Sequence, residues 1–239
     1  MVTVSLDIPT EVDIAIVGGG LQAGLLALSL AEHAPRLRVA VFERDRELAG
    51  NHTWCFHDRD VPADAQALCD ALVEHRWSGY EVIFPDRKRQ LEGSYAAVTA
   101  ASLVQVLRAT AQAHPQLSLH TGCNVSDLRE NELILNNGAR VSARLVIDAR
   151  GPERSAAAGR CGYQKFVGQE IIFDRPHGLT QPCLMDATLE QVQGFRFMYV
   201  LPFGEDRLLI EDTTFSRGAE LDVDRCRGAI NDYAQRRFG

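Results

Sequence analysis

A run of three glycines near the start of the chain constrains the fold more than any other feature of the sequence. The apolar run at residues 12–17 has the length of a buried strand, and glycines occupy residues 18–20 directly after it. Residues 21–34 are almost entirely apolar, as in a buried helix, and residues 39–42 form a second apolar run of strand length. This order predicts a βαβ unit with a glycine turn between its first strand and its helix.

The spacing within this turn is that of a dinucleotide-binding site. Gly18 permits a tight turn, Gly20 lets a pyrophosphate approach the backbone, and small Ala23 lets the helix pack closely on the strand. The free N–H groups at the start of the helix favour the phosphates. Glu43, at the end of the second strand, can accept hydrogen bonds from ribose hydroxyls. We predict dinucleotide binding, and the early position of the unit favours FAD, although the turn itself does not distinguish FAD from NAD.

The rest of the chain predicts a strand that returns to the sheet of this unit, followed by a second region rich in strands. Residues 144–151 form an apolar strand ending in Asp148 and Gly151, of the kind that returns to the first sheet beside a nucleotide, so both residues are candidate cofactor contacts. Residues 163–215 are rich in short strands and turns, and residues 221–238 predict a final helix capped by Asp222. The predicted architecture is therefore an α/β Rossmann domain interleaved with a mostly antiparallel β-sheet domain. The FAD-binding domain is predicted at 1–75 and 106–155, and the substrate-binding domain at 76–105 and 156–239.

Two adjacent acids, Glu211 and Asp212, end an apolar run late in the chain. A strand would place them on opposite faces, because side chains alternate. Glu211 is therefore either an acid at the end of a surface strand or a carboxyl group held in an apolar environment for chemistry, and the residues alone leave both readings open. Phe195, Phe197 and Tyr199 alternate on the preceding predicted strand and share a face, which is either core or a surface that stabilises a cation.

Composition excludes several classes of function. The formal net charge of −7 argues against nucleic acid as a partner, and the scattered histidines and cysteines predict no metal site. Six cysteines without a CxxC pair fit a reducing compartment. With no signal peptide and no long apolar run, we expect a cytoplasmic protein, with peripheral membrane attachment left open. The basic cluster at residues 86–90 is either a solvated turn or a contact with anionic lipid.

At "GNHTWCFHDRD" (residues 50–60) the sequence becomes recognisably similar to bacterial lycopene beta-cyclases of carotenoid synthesis, and the resemblance runs from about Val12 to the C-terminus. The same resemblance is carried by "SGYEVIFPDRKR", "VGQEI", "HGLTQPCLMDAT" and "LLIEDTTF". It implies a glutathione-reductase-like flavoprotein fold, and FAD kept reduced with electrons from NAD(P)H. It also implies the redox-neutral closure of a ring at each end of lycopene to give beta-carotene. Members of the family run well past residue 239, so we expect the remainder of the FAD domain to be absent from this chain, with its activity in doubt.

The resemblance also implies roles for individual residues. The family's acidic motif matches residues 209–213, which puts Glu211 in the catalytic position with Asp212 beside it. Glu170 and Asp186 lie in family-like motifs, and either could remove the last proton. His52 and Trp54 are candidate contacts to flavin or substrate, with a purely structural turn as the alternative.

The resemblance implies a substrate and a location as well. Lycopene is insoluble in water, so the protein would take it from a bilayer, docked peripherally on the inner face of the cytoplasmic membrane. Two other functions remain open. One is an FAD-dependent monooxygenase or oxidoreductase of the same fold, and the other is a non-enzymatic escort of lipid-modified proteins.

Overall fold

The computed structural model describes residues 8–151, 162–191 and 193–239, and these residues form two compact units. The first unit comprises Met1–Glu74 and Ala97–Glu153, and the second comprises His75–Ala96 and Arg154–Gly239. The chain therefore leaves the first unit after residue 74, returns to it at residue 97, and leaves it again after residue 153.

The first unit contains a six-stranded sheet in the order β6-β2-β1-β9-β8-β7. Strands β6, β2, β1 and β9 are parallel, and β9, β8 and β7 are antiparallel. The bounds of its elements are β1 (Glu11–Val17), α1 (Leu21–His33), β2 (Val39–Phe42), β3 (Thr53–His57), a 3₁₀ turn (Asp58–Asp60), α2 (Gln66–Leu72), α3 (Ala100–Ala113), β6 (Leu117–His120), β7 (Val125–Arg129), β8 (Glu132–Leu135) and β9 (Arg140–Asp148). The predicted βαβ unit is confirmed, as is the predicted return of the strand that ends at Asp148.

Helices α1 and α3 pack together over one face of this sheet. Ile16 and Val41 of the sheet share a core with Ala27 of α1 and with Leu103 and Leu107 of α3. The predicted domain boundary at 105/106 falls inside α3, whereas the structure places the whole helix in the first unit, because Leu103 and Leu107 of α3 are buried in the core of that unit.

The spacing of Ala65, Leu68, Leu72 and His75 after Pro62 predicts a helix in this segment, but the observed helix is shorter. Residues 62–65 form a turn, in which the Ala65 N–H donates to the carbonyl of Pro62, and α2 begins at Gln66. The prediction that the helix extends to His75 is wrong, because His75 begins strand β4.

The second sheet has the strand order β10-β13-β12-β11-β4-β5-β3. Strands β10, β13, β12 and β11 are antiparallel, and β11 pairs with β4 in parallel. The elements are β4 (His75–Phe84), β5 (Arg87–Thr99), β10 (Tyr163–Ile172), β11 (Cys183–Asp186), β12 (Phe195–Pro202), β13 (Arg207–Ser216) and α4 (Val223–Phe238). Strand β3 and the last three residues of β5 belong to the first unit.

Helix α4 covers one face of this second sheet. Ile230 and Tyr233 of α4 pack against Met198 of β12 and Leu208 and Ile210 of β13. The predicted cap is confirmed, because the Asp222 side chain accepts a hydrogen bond from the Arg225 N–H at 3.0 Å. The opposite face of the sheet carries the alternate residues of β12 and β13, including Tyr199 and Glu211. No described helix combines the length and apolarity needed to cross a bilayer.

Candidate functional site

The glycine turn of the first unit leaves room for a ligand beside the start of α1. Gly18 has φ +108°, and a Cβ there would lie 2.6 Å from the carbonyl oxygen of Ala149, so only glycine fits. Gly20 caps α1, and a Cβ there would meet no atom within 4 Å. Ala23 is fully buried under the sheet, where the predicted close packing requires a small residue.

A cavity of about 280 Å³ opens beside this turn. It lies at the carboxyl ends of parallel strands, which is where α/β sheets bind nucleotides. Its lining comes from the ends of β1 and β2 and from the segments that follow β2, β6 and β9: Val17, Gly18, Gly19, Gly20, Phe42, Glu43, Arg44, Asp45, Glu47, Ala49, Gly50, His52, Cys123, Asn124, Val125, Ala149 and Arg150.

Glu43 is held at the edge of this cavity by two backbone donors. The Gly19 N–H donates to one carboxylate oxygen at 2.6 Å and the Asp45 N–H donates to the other at 2.9 Å. These bonds fix the carboxylate, whose remaining lone pairs can accept from a ribose. The open space beside Gly20, the fixed Glu43 and the free N–H groups at the start of α1 together fit the pyrophosphate and ribose of FAD.

Of the other predicted cofactor contacts, the structure places one at the cavity and two outside its lining. His52 lines the cavity, and its ring lies 5.7 Å from that of Trp54, which packs against the core of the first unit. Asp148 and Gly151 are not among the described residues that line the cavity. Asp148 instead binds Arg150, which does line it, through two hydrogen bonds of 2.8 and 2.7 Å. These bonds from Arg150 hold the pKa of the Asp148 carboxyl below its ordinary value.

Glu211 lies within β13 between two neighbouring strands of the second sheet. It faces Gly168 of β10 on one side and Tyr199 of β12 on the other. Its side chain is partly buried, and this burial raises the pKa of its carboxyl from 4.5 to about 7. Burial is the sole cause of the shift, so Glu211 is a carboxyl group held in an apolar environment rather than an ordinary acid at a strand end.

Aromatic rings share this face with Glu211. The ring of Phe197 lies 5.7 Å from that of Phe195 and 5.8 Å from that of Phe215. The hydroxyl of Tyr199 lies 2.8 Å from that of Tyr95 on β5. The prediction that Phe195, Phe197 and Tyr199 share one face is therefore confirmed, while their role toward a substrate stays a prediction.

Asp212 points to the opposite face, beneath α4. Its carboxylate accepts two hydrogen bonds of 2.7 Å from the guanidinium of Arg196, and Arg225 of α4 lies 3.9 Å away. Asp212 and Arg196 are both buried. The bond to Asp212 raises the pKa of Arg196 above its usual range. The alternation of the two acids is thus as the strand pattern predicts, and Asp212 belongs to a buried ion pair.

The two candidate bases lie on different faces of the sheet. Glu170 faces Leu209 across the strand pair, on the side of Glu211, where it is exposed and lies 3.7 Å from Arg207. Asp186 is buried under α4, where the hydroxyl of Tyr233 donates to it at 2.8 Å and Arg237 forms an ion pair with it. A catalytic role for either residue stays a prediction.

Several residues of these sites carry no local signal in the sequence. Arg196 and Gly168 reach Asp212 and Glu211 only through strand pairing. Tyr95 reaches Tyr199 through the order of strands in the sheet, because β5 does not pair with β12. Cys123 and Asn124 reach the nucleotide cavity only because β6 lies next to β2. A register prediction for the antiparallel strands could have identified Gly168.

The fold and the glycine-lined cavity place the chain in the class of α/β proteins with an FAD-binding Rossmann-like fold. Its fold is similar to that of p-nitrophenol 4-monooxygenase PnpA from Pseudomonas putida DLL-E4, with a TM-score of 0.70 at 13% identity over 97% of this chain and 64% of that one. It is also similar to CtdE, solved in complex with FAD, with a TM-score of 0.61 at 15% identity over 93% of this chain and 66% of that one.

Within this class, the chain belongs to the lycopene cyclase family, because the model of the family "Lycopene cyclase protein" matches residues 13–239. It is 41% identical to a lycopene beta-cyclase from Pseudescherichia vulneris over 224 residues, which are 93% of this chain and 56% of that protein. The chain therefore spans little more than half the length of this curated relative.

Proposed function

We propose that this chain carries the acid-bearing part of a lycopene beta-cyclase, which isomerises lycopene to beta-carotene. The observation that carries the proposal is Glu211, because the family's acidic motif falls on a carboxyl group whose burial keeps much of it protonated near neutral pH. An acid that retains its proton at pH 7 is what alkene protonation requires.

The proposed reaction moves one proton in and one proton out. The O–H bond of Glu211 breaks as a C–H bond forms at a terminal alkene, and a neighbouring alkene of the same end closes the ring. The resulting tertiary carbocation then loses a proton to a base, which leaves no net change in redox state. Phe197 and Tyr199 present ring faces on the side of Glu211, and such faces stabilise a cation by about 0.5–2 kcal/mol each.

We infer that the cavity of the first unit binds FAD. Gly18, Gly20 and the start of α1 would hold the pyrophosphate, and Glu43 would hold the ribose. In its reduced form, maintained by NAD(P)H, FAD would supply negative charge that stabilises a carbocation without net electron transfer.

An anaerobic assay tests this function. Lycopene, FAD and NAD(P)H are supplied to the chain, and in parallel to a chimera in which residues 13–239 replace the matching part of a curated relative. The expected product is beta-carotene, without stoichiometric oxidation of NAD(P)H. Gly18→Ala serves as the flavin-free control, because its added methyl group would lie 2.6 Å from the Ala149 carbonyl oxygen. Consumption of one NAD(P)H per product would instead indicate an oxidoreductase, and absence of both flavin and product would indicate a non-enzymatic escort.

We further propose that the protein takes lycopene from the cytoplasmic face of an anionic membrane. Phe84, Phe166, Phe195 and Phe215 lie on β4, β10, β12 and β13 and are 39% to 46% exposed. The rings of Phe84 and Phe215 each lie 6.5 Å from that of Phe195. Clustered exposed aromatic residues mark interaction surfaces and are typical of the membrane interface.

The β4–β5 turn adds positive charge beside this aromatic cluster. Phe84 ends β4, and the exposed residues Arg87, Lys88 and Arg89 begin β5. Basic residues near an anionic leaflet contribute about 1 kcal/mol each. Aromatic rings next to basic side chains therefore fit an anionic bilayer surface.

Vesicle binding by the purified chain tests this surface. Wild-type chain is expected to sediment with phosphatidylglycerol vesicles and much less with phosphatidylcholine vesicles. Arg87→Gln/Arg89→Gln should weaken this binding by at least about tenfold, from about 1 kcal/mol per charge. The matched control is Arg129→Gln/Arg140→Gln, which removes two exposed arginines of the first unit and should leave binding unchanged. Equal binding by both double variants would contradict the proposed surface.

A further inference from the structure

Gly168 occupies the position directly opposite Glu211 in the β10–β13 pair. A Cβ at Gly168 would lie 3.3 Å from Cγ of Glu211, 3.5 Å from its Oε1 and 3.4 Å from a methyl carbon of Leu209. The side chain of Glu211 therefore lies across the backbone of β10, in the space that a side chain at residue 168 would take.

The backbone conformation does not account for this glycine. Gly168 is not among the residues with positive φ, and it pairs in regular register with β13, so other residues could adopt its conformation. Glycine in the interior of a strand weakens the strand and often marks the close approach of another group. Here the group that approaches is the side chain of Glu211.

The other side of Glu211 is bounded by Tyr199. This residue is the cross-strand partner of Glu211 on β12, and its hydroxyl lies 2.8 Å from that of Tyr95. No described group donates a hydrogen bond to the Glu211 carboxyl, which agrees with burial as the sole cause of its raised pKa. Its carboxyl therefore lies in an apolar groove between the backbone of β10 and the ring of Tyr199.

The charged groups near this groove are few. On β10, Glu170 is the next residue on the same face, and on β13 the charged residue of this face is Arg207, which lies beyond Leu209; Glu170 and Arg207 lie 3.7 Å apart and offset each other's charge. The residues that β12 presents to this face are apolar or aromatic. Beyond Tyr199 lie the phenols of Tyr95 on β5 and Tyr80 on β4, and the basic residues of β5 lie at its other end, beside Phe84. Burial in the groove, rather than a neighbouring charge, therefore decides whether Glu211 keeps its proton.

We infer that Gly168 is a positioning residue for Glu211, because its missing side chain provides the space in which the acid is held away from water. This inference rests on the proposed role of Glu211, to which it adds the residue that sets the placement of the acid. A methyl group at residue 168 would lie 3.3 Å from Cγ of Glu211, which is a tight contact, so we expect the Glu211 side chain to shift away from β10 toward solvent, where a carboxyl group ionises more readily.

Gly168→Ala in the purified chain tests the inference. The titration of Glu211 is followed by ¹³C NMR of chain labelled at the glutamate side-chain carboxyl carbon, with its signal assigned by loss in Glu211→Gln. The wild-type midpoint is expected at about 7. In Gly168→Ala it should fall clearly toward the ordinary value, because the shifted carboxyl group is then less buried. The fold should persist, because the atoms nearest the added methyl group belong to flexible side chains and alanine suits a strand better than glycine.

The matched control is Gly228→Ala on α4, where an added Cβ meets no atom within 4 Å and the Glu211 midpoint should stay at its wild-type value. An unchanged or raised midpoint in folded Gly168→Ala overturns the inference. Glu211→Asp, in chain labelled at the aspartate side-chain carboxyl carbon, provides a second test without changing Gly168. It withdraws the carboxyl from β10 by one methylene and should also lower the midpoint, whereas a midpoint that stays at about 7 overturns the inference. The midpoint is measured without catalysis, so a chain that shows the shift but makes no beta-carotene contradicts the proposed function alone.

Discussion

Glu211→Gln is expected to reduce beta-carotene formation by at least about 100-fold, the lower end of what a general acid contributes. Glutamine preserves the shape of the side chain between Gly168 and Tyr199 but has no acidic proton to give to an alkene. Flavin content should be unchanged, because Glu211 lies outside the nucleotide cavity. The measurement is the initial rate of beta-carotene formation, alongside the flavin absorbance of the purified protein.

The pH dependence of wild-type activity provides a second test of the proposed role of the Glu211 carboxyl. Because the pKa of Glu211 is raised to about 7, its carboxyl loses its proton as the pH rises through that value. Activity should therefore decline as the pH rises above about 7. In the folded chain the acid holds its proton more tightly than in the unfolded chain. Its contribution to stability is therefore full below pH 4.5 and is lost as the pH rises through about 7.

A matched control for this substitution is Glu205→Gln, in the exposed turn between β12 and β13. It makes the same chemical change near the same strand, and its rate should equal that of the wild-type protein. A Glu211→Gln protein that forms beta-carotene at the wild-type rate contradicts the proposed role of Glu211.

Asp212→Ala is expected to destabilise the second unit by about 3–5 kcal/mol, the usual cost of breaking a buried ion pair from one side. Asp212 is 1% exposed, and its removal leaves the guanidinium of Arg196 buried under α4 without the carboxylate that binds two of its nitrogens. Arg225 is partly exposed and can reach water, so the cost comes mainly from Arg196.

Tryptophan fluorescence can measure this loss within the second unit. The chain has two tryptophans, Trp54 in the first unit and Trp77 in the second, so a Trp54→Phe background leaves Trp77 as the reporter during urea unfolding. The control is Asp127→Ala, which removes one of the two carboxylate partners of the exposed Arg129 and should change stability by less than about 0.5 kcal/mol.

A double variant tests whether the loss of stability comes from a buried charge left without its partner. Arg196→Met/Asp212→Leu replaces both charges with apolar groups and should recover most of the lost stability, because no buried charge then lacks a partner. If Asp212→Ala proves no more destabilising than Asp127→Ala, the ion pair does not stabilise the unit.

The local features of the fold could be predicted from the sequence because neighbours in the chain determine them. The glycine turn, the all-apolar α1 and the strand that ends at Asp148 gave the correct βαβ unit and its third parallel strand. Gly204, Glu205 and Asp206 are typical turn residues between two apolar runs and predict a hairpin, which β12 and β13 form. Alternation along β13 correctly separated Glu211 from Asp212. Each of these inferences needed only a few consecutive residues and one periodicity.

The surroundings of the two acids could not be predicted in the same way. Gly168 lies on β10, far from Glu211 in the chain, and faces it only in one register of the β10–β13 pair. Arg196 meets Asp212 because both side chains point to the face that α4 covers, and the sequence does not indicate which face that is. A shift of the register by one residue would have exchanged the two faces and the environments of both acids.

The strand order of the first sheet has a consequence for how the nucleotide site forms during synthesis. Strand β1 lies between β2, the next strand in the chain, and β9, which is made only after the first two strands of the second unit. A nascent chain that has not reached Asp148 leaves one edge of β1 unpaired, and such edges are prone to aggregate. Gly18 also packs against Ala149, so the turn lacks one wall until that residue is in place. The glycines of the turn therefore leave the ribosome well before Ala149, and the site they form is completed only when that later residue has been synthesised.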